Sequence, residues 1–306
     1  MKNKKNICFI SHQFSLLIIM VFSFNSFADY SNHNKSKEVI DELVNKHGFE
    51  ESYVIEVLKN ATRRDEMLRS VAKPAEKTKT WDDYKAIFIK KKRIRDGKRF
   101  INENIETLER AEKEFGVPKE VITAILGVET NFGSNKGNHR VIDSLTTLGF
   151  DDPNRSKFFR RELIEFFLLT RENNLDILKT KGSYAGAMGY AQFISSSYRA
   201  YAIDYDGDGY VDLFNSVDDA IGSIANYLKV HGWKRDGSIV TKTYPNNVRK
   251  FYKPNESLTQ FIPLTFIENG QELHFIGDDN FRAIARYNIS DVYAMSVYYL
   301  SEEFKK

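Results

Sequence analysis

Along most of this chain, apolar positions recur at three- and four-residue intervals, the spacing of helices packed through one face. Residues 36–61 carry that spacing in two short pieces broken near Gly48, and residues 62–80, with Pro74 and many charges, read as a loop. From 81 to 115 the pattern predicts a long, highly charged helical stretch interrupted near Asp96 and Gly97. Gly116 ends it, since glycine enters the left-handed conformation of a helix cap without steric cost. Pro118 opens the next helix, where a missing N–H is tolerated. That helix carries Val121, Ile122, Ala124, Ile125, Leu126 and Val128 around most of its circumference, so it belongs in the interior. Further helical patterns cover 156–173, 195–203, 217–231 and 280–304, the last interrupted near Asn288.

One stretch has a different rhythm. Residues 238–276 are rich in Val, Thr, Ile, Phe and Tyr with alternation, and Asn269-Gly270 stands between two strand-like runs as a hairpin turn. The expected fold class is therefore mainly α (α+β), a helical protein with a small antiparallel β insertion. No internal repeat or low-complexity tract interrupts it.

The first residues do not belong to that fold. Lys2, Lys4 and Lys5 precede an apolar run over residues 14–24, and Ser26-Phe27-Ala28 offers a small-x-small cleavage site before Asp29. Residues 1–28 thus read as a secretory signal peptide, and the apolar run is short for a membrane span. Removing the three lysines takes the formal net charge from +3 to zero. A nucleic-acid partner is therefore not expected, and the basic stretch at 90–99 reads as a solvated helix face. Cys8, the only cysteine, is lost with the leader, which leaves neither a disulfide nor a cysteine nucleophile nor a lipid-attachment site. The expected product is exported and soluble, most simply periplasmic.

Two kinds of chemistry stand out. In residues 204–219, Asp204, Asp206 and Asp208 occupy alternate positions, Gly209 supplies a sharp bend, and Tyr210 is placed to offer its carbonyl oxygen. Hard oxygen ligands in this order suit calcium in an EF-hand-like loop. Asn215 stands where a bidentate glutamate is usual, so Asp218 or its neighbour Asp219 would close the cage, with Asp212 contributing through water. The ion would staple the loop rather than bind substrate. Transition-metal chemistry finds no support, because His33, His47, His139, His231 and His274 lie far apart.

The second signal is Glu129, a lone carboxylate near the end of the apolar helix, followed by Thr130, Asn131 and Gly133. The negative end of the helix dipole and an apolar setting both disfavour its ionised form. Such a group can donate a proton near neutral pH, as departure of a glycosidic oxygen requires. Residues 182–193 gather Gly182, Ala185, Gly186, Ala187, Gly189 and Ala191 around Ser183, Tyr190 and Gln192. Small residues let a backbone approach a ligand, serine and glutamine offer hydrogen bonds, and tyrosine offers a flat face for a sugar.

Taken in order, GVETNFG, SYAGAMGYAQF, the acidic loop, IGSIANYLKVHGW and FRAIARYNISDVYAMSVYYL resemble the lytic murein transglycosylase B family. The resemblance covers most of the chain from residue 81 onward. It implies a lysozyme-like helical core at 117–235, an added helical region at 29–116, a small β domain at 236–279 and C-terminal helices at 280–306 returning to the core. It also implies cleavage of the MurNAc–GlcNAc bond of peptidoglycan with Glu129 as the catalytic acid. The family's cleft residues fall on Ser183, Gln192 and Phe193, on Tyr287, Asn288 and Tyr293, and on Tyr84 and Tyr227. Half of an arginine pair falls on Arg155, with Asn154 in the other place. The implied calcium ligands are Asp204, Asp206, Asp208 and Tyr210, with Asp218 or Asp219 last, and no organic cofactor is implied. Glycan strands are the expected partner, proteins of wall synthesis or remodelling are further candidates, and a monomer is expected. Two alternatives stay open: a hydrolytic muramidase using a second acid such as Asp143, Asp151 or Asp152, and a non-catalytic calcium-dependent wall-binding module.

Overall fold

The computed structural model describes residues 29–244 and 262–306. The expected leader at 1–28 and part of the β stretch, residues 245–261, lie outside the described residues. After a 3-10 turn at Tyr30–Asn32, the chain forms α1 (Ser36–Asn45), α2 (Glu51–Lys59), α3 (Asp65–Ala72), α4 (Ala75–Thr78), α5 (Trp81–Phe88), α6 (Lys91–Glu103) and α7 (Ile105–Phe115). Next come α8 (Lys119–Thr130), the two-residue strand β1 (His139–Arg140), α9 (Val141–Asp151), α10 (Ser156–Glu172) and β2 (Lys181–Gly182). The remainder is α11 (Ser195–Tyr201), α12 (Val217–Val230), β3 (Val240–Thr243), β4 (Ile262–Glu268), β5 (Gln271–Gly277), α13 (Asp279–Tyr287) and α14 (Asp291–Lys305).

The architecture is mostly helical with small antiparallel sheets. α8 is its axis: every residue from Val121 to Gly127 is buried, as an all-round apolar helix requires. α14 lies along it, and α6, α7 and α12 close the remaining sides. Gly116 caps α7 in the left-handed conformation at φ 74°, and Pro118 immediately precedes α8.

Two differences from the sequence reading have physical causes. Residues 62–80 hold two short helices rather than a loop; α3 buries only Met67, so its apolar face is too narrow to stand out among the charges. Pro74 sits at the N-cap of α4, where proline is compatible with a helix start. The expected break near Asp96 and Gly97 is absent, and α6 runs through both. A β-carbon on Gly97 would lie 2.3 Å from the Phe304 ring, so this glycine admits a side chain from α14. The breaks fall instead at residues 89–90 and at Asn104.

The larger sheet has the order β3-β5-β4, antiparallel throughout, with Val240 and Ile262 on either side of Gly277. Asn269 and Gly270 both have positive φ, 50° and 76°, as a two-residue hairpin turn needs. Trp81 anchors this sheet to α5: its ring meets Phe266 at 4.9 Å and its indole N–H donates to Glu268 at 3.0 Å.

β1 pairs with β2, His139 opposite Gly182, and holds the small-residue segment against α9. Gly137 makes this possible: at φ 85°, its β-carbon would fall 2.1 Å from the Gly182 backbone. Gly137→Ala is expected to lose about 3 kcal/mol of unfolding free energy in urea denaturation. Gly48→Ala, at φ 67° but in open space, should lose only about 1 kcal/mol.

Candidate active site

The end of α8 is unusual. Asn131 at φ 51°, Phe132 at φ 59° and Gly133 at φ 84° all adopt left-handed backbone, and only the glycine does so without strain. This exit turns the Phe132 amide back to donate to the Leu126 carbonyl at 3.1 Å. The Thr130 hydroxyl accepts from the Gly133 amide at 2.9 Å and reaches the carbonyls of Leu126 and Tyr190, each at 3.2 Å. The Phe132 ring, wedged between Phe100 and Phe304, holds the turn from the other side. Glu129 sits one residue before the end of this clamped helix.

Its surroundings are tyrosines. The Tyr293 hydroxyl, from α14, donates to Glu129 Oε1 at 2.6 Å. Tyr84 and Tyr287 lie close enough for the Glu129 charge to oppose their own ionisation. Loss of hydration pushes the Glu129 pKa up to about 7; the Tyr293 hydrogen bond opposes that rise, and the negative charge of Glu76 adds to it. The group is therefore protonated below neutrality.

A cleft of about 950 Å³ adjoins these residues. Gln192, Phe193, Tyr227, Tyr287, Asn288 and Arg155 all line it. Phe193 packs against Tyr227 and Tyr287 with ring centres 5.5 and 5.6 Å away. The hydroxyls of those tyrosines are spent on backbone, Tyr287 donating to Ala191 at 2.6 Å and Tyr227 to Arg286 at 2.7 Å. The rings are thus fixed as walls. Gln192 has φ 48° and donates its side-chain amide to Gly189 and Lys136 carbonyls, which leaves its carbonyl oxygen for other partners. Ser183 Oγ accepts from the amides of Ala185 and Ala187, which leaves its proton to donate. Arg155 stacks its guanidinium on Phe158 and Phe159 at 4.7 and 5.0 Å.

The family model for the transglycosylase SLT domain matches residues 31–302. The chain is 37% identical over 302 residues to membrane-bound lytic murein transglycosylase B of Escherichia coli (strain K12), covering 90% of this chain and 83% of that one. The soluble lytic transglycosylase SltB1 of Pseudomonas aeruginosa superposes with a TM-score of 0.80 at 41% identity, over 87% of this chain and 97% of its own. Escherichia coli lytic transglycosylase Slt35 in complex with calcium gives 0.80 at 36%, over 90% and 94%. This chain belongs to the SLT-domain transglycosylase family.

Within that family fold, not every predicted residue lies where its chemistry suggested. Tyr190 has Lys136 Nζ 4.2 Å over one face of its ring and Gly133 against its edge, and it is not among the residues that line the cleft. Asp143, Asp151 and Asp152 are each engaged elsewhere: Asp143 is buried with Arg140 and the Thr62 amide, Asp151 accepts from Tyr30, and Asp152 accepts from the amides of Asn154 and Arg155. The residue that sequence reasoning missed is Glu76, on α4, which lines the cleft. It lies in a run of charged and small residues that offers no signal of its own.

The acidic loop forms a separate centre. Carboxylate oxygens of Asp204, Asp206 and Asp219 lie within 4.8 Å of one another. Asp218, the alternative at the loop's end, turns away and accepts from the Thr107 hydroxyl at 2.5 Å. Asp208 accepts from the Tyr210 amide at 2.8 Å and is not one of the three. Asp219, on the first turn of α12, accepts from the amides of Tyr205, Asp206 and Asp212, so one buried carboxylate gathers both ends of the loop.

Tyr293→Phe removes the only side-chain donor on Glu129 among the described residues. The Glu129 midpoint should then move above about 7, since the lost hydrogen bond favoured the carboxylate. Titration followed by carboxyl NMR checks this, and a midpoint unmoved or lower would contradict the assigned contact.

Proposed function

We propose that this lytic transglycosylase cleaves the β-1,4 bond between MurNAc and GlcNAc of peptidoglycan without water, with Glu129 as acid and then base. Glu129 gives its proton to the departing glycosidic oxygen. The 6-hydroxyl of the same MurNAc attacks C1, and its proton passes to the Glu129 carboxylate. The products are a 1,6-anhydro end and a free GlcNAc 4-hydroxyl, and the enzyme is restored. The attacker belongs to the reacting sugar, so its high effective concentration replaces an activated water and a second carboxylate.

The observation that carries this reading is the buried Glu129 carboxyl beside the cleft, held by the Tyr293 hydroxyl at 2.6 Å and with loss of hydration raising its pKa to about 7, while Asp143, Asp151 and Asp152 lie outside the cleft lining and are bonded elsewhere. A group poised near neutrality can both give and reclaim a proton. Ser183 and Gln192 would orient the sugar and its N-acetyl group, Phe193, Tyr227 and Tyr287 would form its apolar walls, and Asn288 and Arg155 would bond its polar edges. Tyr84 and Tyr293 would hold the acid itself. Peptidoglycan lies outside the cytoplasmic membrane, which accords with the leader-like pattern at 1–28; among the described residues no helix is long and apolar enough to cross a membrane.

Calcium fits the acidic loop. The donors are all hard oxygens, and three carboxylates have been brought together that would repel one another without a cation. Asp204, Asp206 and Asp219 would hold the ion, with Asp208 and the Tyr210 carbonyl as further donors. It would supply a structural staple between the 204–212 turn and α12. Calcium should raise the melting temperature of the chain. Asp219→Asn should abolish that increment and Asp218→Asn should preserve most of it, by thermal unfolding with and without chelator.

Glu129→Gln keeps the shape of the side chain but cannot cycle a proton, so cleavage should fall by at least about a thousandfold. Mass spectra of muropeptides released from purified peptidoglycan should show anhydro ends with wild type alone. Products heavier by one water would make the reaction hydrolytic.

A further inference from the structure

Glu76 stands on α4, the four-residue turn Ala75–Thr78, and lines the cleft. Asn288 Nδ2, from the corner between α13 and α14, donates to Glu76 Oε1 at 3.2 Å. The Tyr84 hydroxyl of α5 reaches the same oxygen at 3.5 Å. One carboxylate thus ties the neighbouring helices α4 and α5 to the α13–α14 corner more than 200 residues later, and both of its partners are residues of the proposed site. Among the described residues, neither Asp143, Asp151 and Asp152 nor a lysine or arginine acts on Glu129, whose charged neighbour is Glu76.

We infer that Glu76 is a positioning residue: it clasps Asn288 and Tyr84 beside the cleft and sets a second carboxylate next to the catalytic acid. This rests on the assignment of Glu129 as that acid. The groups facing Glu129 are Glu76 from α4, Tyr84 from α5, Tyr287 at the end of α13 and Tyr293 from α14. Those facing Glu76 are Tyr84, Asn288 and Tyr184, with Lys77 next in the chain and Arg155 on the same cleft. The three tyrosines around Glu129 are strongly held neutral, so among these groups only Glu76 brings charge to the acid. A negative neighbour makes loss of the Glu129 proton harder, which keeps the donor form populated to higher pH.

The two functions of Glu76 separate in variants. Glu76→Gln retains an oxygen for Asn288 and Tyr84 but removes the charge, so the Glu129 midpoint should move to lower pH by about half a unit or more, and the basic limb of kcat should follow. Glu76→Ala loses the clasp as well and should add a several-fold rise in KM to the same shift. Glu76→Asp keeps the charge and should restore the midpoint toward wild type. Carboxyl NMR titration of Glu129 in the free enzyme reads the midpoint without relying on turnover, and the alanine variant serves if glutamine disturbs the α4 turn. A midpoint unchanged in both neutral variants would overturn the inference while leaving the transglycosylase reading intact. Absence of anhydro ends from wild type would overturn that reading, whatever the titration gives.

Discussion

As the proposed acid, Glu129 must be kept away from water and yet remain able to give up its proton, and the core around it is arranged to meet both demands. Burial raises the pKa of the carboxyl; the Tyr293 hydroxyl at 2.6 Å restrains that rise by stabilising the charged form. That contact needs α14 to lie tightly along α8. The close approach in turn needs small residues, and Gly127 and Gly97 supply them, facing the rings of Phe132 and Phe304 and the Leu300 side chain. The protonation state of one side chain therefore depends on the packing of two helices more than 160 residues apart in sequence.

The left-handed exit of α8 belongs to the same design. A phenylalanine at positive φ is costly, and the cost is met by the Phe100 and Phe304 rings that bracket it and by the hydrogen bonds converging on Thr130. Gln192 shows a second such residue, fixed by two side-chain hydrogen bonds to backbone. Both strained positions flank the proposed reacting centre. In neither case is the strained residue the acid; it is the residue that fixes the backbone on which the acid or the cleft wall is carried.

Glu129 stood out in the sequence as an isolated carboxylate at the end of an apolar helix, and it became the candidate acid only with the motifs that follow it. The helices that read clearly, such as α10 and α12, were those with wide apolar faces. α9 was not anticipated: every residue from Val141 to Phe150 is buried, including Asp143 and three hydroxyl-bearing residues, so polar types sit where a sequence pattern expects surface. Part of their bonding is local, Arg140 to Asp143 and the Ile142 carbonyl to Thr146, but the Thr62 amide on Asp143 and the Arg64 amide on Thr147 are partners that only the fold brings near. The same holds for the choice between Asp218 and Asp219. Adjacent helical residues point about 100° apart, so only one of them can face the loop, but the phase of α12 is set by its packing.

Glu76 is the limiting case of that illegibility, and its place in the site follows from how a single acid can serve twice. Donation needs the protonated form and recovery of the attacker's proton needs the carboxylate, so too strong a bias either way slows one half of the cycle. Tyr293 and Glu76 bias Glu129 in opposite directions, one through a hydrogen bond to the charged form and the other through like charge. Each does so from a different segment, α14 and α4, and Asn288 joins the two at the cleft mouth. A substrate bonded to Asn288 would therefore touch the partner of Glu76, so under the proposed mechanism occupancy of the cleft would bear on the Glu129 proton.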